Sequence, residues 1–271
     1  TGQSEIRTGR RRSSISIVQS LRREVSEWRE NHYPGASDTT RQLFGYWFQR
    51  AHRQTTPAGE EYEFRYYFCQ REAVETLVYL AEIHNSPTLS GLYEKFGTEQ
   101  QKEAAYGIAP DEDLWPRYAE KIATGAGKTK IMSLAVVWSY FHNLRESYSN
   151  AAKHFVIIAP NLTVYERLRE DFGDGKIFET DPLIPPEWRG DWNMSVVLQD
   201  EAAPDSIGGT IYLTNIHRLY DNSKKKGKKQ AEFHSFVGPT VQKAKVFDSG
   251  AELRERIAGK RTIMVLNDEA H

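Results

Sequence analysis

The chain is poor in the features that would place it outside the interior of a cell. It holds a single cysteine, Cys69, among 271 residues, so an internal disulfide framework and a cysteine-based zinc cluster are both excluded. Its ordinary role is that of a small apolar side chain, and a reducing cytoplasm suits it. Long apolar runs are also missing. The longest, around 131–141 and 155–160, are far too short to cross a bilayer, and no secretory leader is visible, so no membrane partner is expected. Net charge of either sign is lacking, with 36 Lys plus Arg against 37 Asp plus Glu. Composition therefore gives no global argument for nucleic acid, and any such surface must be a local patch. There is no internal repeat and no sustained heptad series. What remains, at 39% hydrophobic residues, is enough to bury a sizeable core.

What is present centres on Lys121–Lys130, KIATGAGKTK. Its heart, TGAGKT, supplies Thr124, Gly125, Ala126 and Gly127 as a backbone able to close around phosphate. Lys128 meets the terminal phosphates, and Thr129 offers a hydroxyl to Mg²⁺. The strict eight-residue pattern asks for Gly at the place of Ile122. Downstream, KIMSLAVVWSYFHNL is apolar almost all round and reads as a buried helix whose first N–H groups point at the phosphate. Upstream, RYAEKIA (117–123) is expected to be the preceding strand, although Glu120 and Lys121 interrupt its apolar run.

The second chemical element lies at the far end. RTIMVLNDEAH passes through an apolar strand at 263–266 and delivers Asp268 and Glu269 side by side. A nucleotide hydrolase needs one carboxylate to hold Mg²⁺ and a neighbouring one to orient the attacking water. Asp268 is assigned the first task and Glu269 the second, with ATP and Mg²⁺ as the expected cofactors.

Together, TGAGKT and DEAH resemble the first motor domain of superfamily 2 helicases and translocases, and the surrounding phrases resemble the restriction subunits of type III restriction systems. Those phrases are YYFCQREAVETLVYL (66–80), ATGAGKTKIMSLAVVWSYFH (123–142), IYLTNIHRLY (211–220) and VLNDEAH (265–271). The resemblance implies a RecA-like phosphate-loop domain that couples ATP hydrolysis to movement on double-stranded DNA. It also implies a second motor domain and a nuclease region in a longer protein, and a modification (methyltransferase) subunit as partner. Within that pattern Gln70 reads the adenine edge with its side-chain amide, and His271 links nucleotide state to the rest of the motor. A chain holding only the first motor domain is expected to bind nucleotide weakly and to hydrolyse it poorly.

Taken in order, residues 1–60 read as a mobile arm followed by two helices, one over 15–29 and one capped by Ser37 or Asp38. Residues 61–271 read as the ATPase domain. Residues 86–116 are expected to be a loop-rich connection. HFVIIAPNLTVYERLREDF, from His154, reads strand, turn, helix and resembles the next motor motif. Asn161 and Thr163 there either touch a nucleic-acid phosphate or cap the helix. GTIYLTNIHRLY gives another strand whose end, Thr214 and Asn215, either faces ligand at the carboxyl edge of the sheet or caps the next helix. The basic run Lys224–Lys229 is either a DNA-backbone contact or a solvated loop. Alternating strands and helices with phosphate and carboxylate motifs at strand ends imply an α/β class, a mainly parallel, doubly wound sheet preceded by an N-terminal helical region. Two rival functions fit the same residues: a non-catalytic DNA- or partner-binding module with a vestigial nucleotide site, and a helicase of another repair or defence pathway.

Overall fold

The computed structural model describes residues 13–56, 58–199, 201, 203–219 and 249–268. The arginines at 10–12, the basic run at 224–229, Glu269 and His271 lie outside the described residues.

Helix α1 (Ser16–Glu30) follows from apolar residues at helical spacing, with Val25 and Trp28 buried. Helix α2 (Asp38–Phe44) starts where Ser37 accepts the Thr40 N–H and continues in a wider turn that buries Trp47. Strands β1 (His52–Thr55) and β2 (Glu61–Phe64) form an antiparallel hairpin around the turn. Helix α3 (Phe68–Val78) carries Gln70 in its first turn. The stretch expected to be loop-rich contains two helices, α4 (Leu89–Phe96) and α5 (Glu99–Ala105). Thr98 caps α5 and Gln101 reaches back to the Thr98 N–H, a reciprocal cap that starts a helix despite the glycine before it.

The central element is α6 (Lys128–Arg145), buried without interruption from Ile131 to Phe141. It runs between the N-terminal helices and a sheet of four parallel strands in the order β4 (Met194–Leu198), β5 (Gly209–Asn215), β3 (His154–Ala159), β6 (Ile263–Asn267). Side chains on a strand alternate between faces. Phe155, Ile157, Ile211 and Leu213 join the large core with α6 and with α7 (Leu162–Phe172). Val156, Val197 and Tyr212 face the other way, onto Leu253 of the helix Ser249–Ala258, which we label α10. The short helices α8 (Lys176–Thr180) and α9 (Ile216–Leu219) complete the numbering. Helices cover both sheet faces, and the fold is α/β and RecA-like, with added N-terminal helices.

The strand expected at 117–123 does not form: residues 116–123 have no sheet partner among the described residues. Glu120 and Lys121 are the physical reason, since a central parallel strand has both faces covered and tolerates neither charge. Only Tyr118 and Ile122 of this stretch pack against the core.

Two ionic networks stitch the layers. Glu75 of α3, 0% exposed, takes Arg29 Nε at 2.6 Å, Arg71 Nε at 2.7 Å and the Tyr33 hydroxyl at 2.6 Å, which locks α1 onto α3. On the opposite sheet face, Asp205 accepts the Tyr212 hydroxyl at 2.8 Å and the Lys260 ammonium at 2.5 Å, and pairs with Arg256. Burial alone would raise the Asp205 carboxyl; hydrogen bonds from Lys260, Arg256 and Tyr212 outweigh it and hold it at about 2. A carboxyl depressed on folding stabilises above its unfolded value, and that contribution disappears as pH falls through the folded one. Thermal unfolding of the wild type is therefore expected to lose stability between about pH 4 and pH 2, and Asp205→Asn should flatten this part of the curve. An unchanged acid limb would remove Asp205 from the account.

Candidate nucleotide site

The fold gathers the sequence-distant motifs at one end of the sheet. The phosphate loop needs backbone that only glycine adopts without strain: Gly125 and Gly127 sit at φ +79° and +80°. Nothing stands within 4 Å of where a Gly125 side chain would project, so the loop is open there. Gly127 has no such room. A Cβ at that position would collide with the Gln70 amide. From Gly127 the chain enters α6, whose first turn closes through the Lys130 N–H on the Gly127 carbonyl at 3.1 Å and whose positive dipole end lies at the loop.

Gln70 is 2% exposed and braces this loop. Its Oε1 accepts the Tyr67 N–H at 2.9 Å, and its Nε2 donates to the Ala126 carbonyl at 2.9 Å. One lone pair and one N–H of the amide remain uncommitted by these bonds. Tyr67 and Phe68 beside it are exposed, and the Arg29 guanidinium lies 5.1 Å from the Phe68 ring centroid.

Lys128 and Asp268, more than half the chain apart in sequence, meet at the carboxyl end of the sheet. The Asp268 N–H donates to the Ile158 carbonyl at 3.1 Å, which pins the residue beside β3 just as β6 ends. Its side chain is 1% exposed, and Oδ1 stands 3.7 Å from Lys128 Nζ. That Oδ1 is buried and has no hydrogen-bond partner among the described residues. Oδ2 is held by Arg167 of α7 at 2.7 Å.

On α7, burial raises the Asp171 carboxyl, and this is opposed by the Lys130 charge, by Arg167 and, least of all, by the Thr129 hydroxyl. Neighbouring Lys130 is paired with Asp181. Arg167 and Asp171 are one helical turn apart and so share a face of α7. Sequence reading missed both. In YERLRED they look like a solvated i,i+4 pair, and only the packing of α7 on β3 and β5 turns them toward the nucleotide motifs.

The remaining candidates divide. Asn161 is exposed and caps α7, its Oδ1 accepting the Val164 N–H at 2.9 Å. Thr163, next in the same turn, is also exposed. Thr214 and Asn215 are buried at the end of β5: Asn215 accepts the His217 N–H at 2.9 Å through Oδ1, and its Nδ2 is buried with no partner among the described residues. In this arrangement neither side chain is presented to solvent. Glu269 and His271 lie outside the described residues.

The profile of the family described as type III restriction enzyme, res subunit, matches residues 63–271. The chain belongs to this family. The matched region begins at β2 and covers the phosphate loop, α6, the sheet and the terminal DEAH, so the family's helicase-type domain includes the whole candidate site. No curated protein and no solved structure matches the chain. No helix among the described residues is long and apolar enough to cross a membrane.

The site fits Mg²⁺ and a nucleotide on its own geometry. A buried carboxylate oxygen without a hydrogen-bond partner is costly unless a cation, or water held by one, completes it. Here that oxygen faces a lysine across the mouth of an open, glycine-built loop.

Proposed function

We propose that this chain is the ATP-driven motor module of a DNA-restriction system, binding ATP between the phosphate loop and Asp268 and coupling hydrolysis to movement on double-stranded DNA. The observation that carries this reading is the approach of Lys128 to the buried, incompletely satisfied Asp268.

In the proposed cycle the N–H groups of Gly125 to Lys128 cradle the phosphates, and Lys128 neutralises charge that develops on the terminal phosphoryl group. Thr129 and Asp268 hold Mg²⁺, which when bound draws charge from the phosphate oxygens. Glu269, next to Asp268, orients the attacking water. Gln70 offers its remaining lone pair and N–H to the adenine edge while keeping the loop braced. Asn161 and Thr163, exposed at the start of α7, meet a nucleic-acid phosphate. His271 links the nucleotide site to the second motor domain and nuclease region of the longer protein that the family pattern implies, with a modification subunit as the partner.

The test is ATP hydrolysis by that full-length protein, wild type beside Glu269→Gln, with and without duplex DNA. Stimulation by duplex, abolished by the substitution while nucleotide still binds, supports the motor reading. Hydrolysis that is absent, or indifferent to DNA, overturns it in favour of a binding module with a vestigial site.

A further inference from the structure

Arg167 has no place in the nucleotide motifs, yet it makes the shortest polar contact to the side chain of the residue assigned to hold the cation. Its Nη2 lies 2.7 Å from Asp268 Oδ2, closer than Lys128 at 3.7 Å from Oδ1. The two partners are unequal. Asp268 is 1% exposed, whereas the Arg167 side chain is 54% exposed. A carboxylate removed from water needs a positive partner, and a guanidinium fills that need without a metal.

We propose that Arg167 is the resident counter-ion of Asp268: it neutralises the buried carboxylate and competes with a divalent cation for it. This rests on the nucleotide-site reading of Asp268 but adds a residue and a regulation that the motifs do not contain. The competition is electrostatic. A divalent cation seated near Oδ1 lies within a few ångströms of the guanidinium on Oδ2, and like charges at that range in a buried setting repel strongly. Cation entry therefore favours release of Arg167 into solvent, which its half-exposed position allows. Because Asn161 caps the same helix, exchange at Asp268 acts on the middle of the element whose N-terminus is offered to nucleic acid. By linkage, whatever holds α7 against Asp268 weakens the cation, and the reverse.

Two measurements on the chain, both without nucleotide, test this. The first is a titration with Mn²⁺ followed by electron paramagnetic resonance, for wild type, Arg167→Ala, Arg167→Lys and Asp268→Asn. Arg167→Ala is expected to bind Mn²⁺ about fivefold more tightly than wild type, Arg167→Lys to lie between them, and Asp268→Asn to lose the site. The second is thermal unfolding in a chelator. Arg167→Ala should lower the midpoint by about 4 °C, and the loss should vanish when Asp268→Asn is already present. Equal or weaker Mn²⁺ binding by Arg167→Ala, no binding by any variant, or a thermal effect that persists in the Asp268→Asn background each overturns the proposal. Failure of ATP to bind would instead count against the nucleotide reading, since neither measurement contains it.

Discussion

Lys128→Ala is expected to lower ATP turnover by the full-length protein by about a thousandfold, the range seen when one charge-stabilising donor is removed from a preorganised site. The reason lies in what surrounds the ammonium group. It stands at the start of α6, beside a loop that is open at Gly125, and 3.7 Å from a buried carboxylate oxygen. When Lys128 is removed, the helix N-terminus remains but the side chain's positive charge at the mouth of the loop goes. Folding should be little affected. Asp268 keeps Arg167 as its partner, and alanine is a good helix former, so the stability change should stay within about 1 kcal/mol. Turnover and thermal unfolding measured on one preparation separate the two effects. A large stability loss alongside the activity loss would mean that Lys128 is a structural residue.

Glu75→Ala is expected to destabilise the chain by about 3–5 kcal/mol, the cost of removing one partner from a buried ionic group. Glu75 is fully buried and takes Arg29, Arg71 and Tyr33 at once. Its loss strands two guanidinium groups and a phenol between α1 and α3. Burial, then the hydrogen bond to Glu75, holds the Tyr33 hydroxyl well above its ordinary value, so that phenol stays a proton donor at any physiological pH. The control is Glu27→Ala. Its partner Arg23 sits at 3.9 Å with both side chains mostly exposed, and the change should stay within about 0.5 kcal/mol. Denaturant unfolding of both variants decides the matter, and similar small losses would show that the buried network is energetically neutral. The consequence reaches the site, because α3 also carries Gln70 against the phosphate loop.

The legible parts of this fold were those where local pattern and tertiary burial agree. IMSLAVVWSYF is apolar almost all round because α6 is covered on every side there, and FVIIA and IYL are unbroken apolar runs because β3 and β5 lie inside a parallel sheet. Where the two disagree, reading the sequence failed. The hairpin β1–β2 is largely exposed and rich in charge, so neither strand carries the apolar run that marks β3 and β5. Helices α4 and α5 are short and bury little beyond Phe96, and the glycines and proline around them read as loop. RYAEKIA has a strand's place before the loop but not a strand's composition, its charges opposing burial. The nucleotide motifs were legible as chemistry, since glycine, lysine and paired carboxylates are needed wherever phosphate and Mg²⁺ meet. Arg167 and Asp171 were not, because their meaning comes from the docking of α7 and from no spacing within it. Thr214 and Asn215 show the same limit: a strand end at the carboxyl edge marks a place in the fold, but whether the side chains there meet ligand or neighbour depends on what lies above them.

The most direct test of the central claim is calorimetric titration of the chain with ATP in the presence of Mg²⁺. The arrangement of Lys128, Thr129 and Asp268 predicts a single weak site per chain whose heat disappears with Lys128→Ala and falls sharply when Mg²⁺ is chelated. Binding that survives Lys128→Ala unchanged, or no binding by the wild type at millimolar ATP (on the order of −4 kcal/mol), would contradict it.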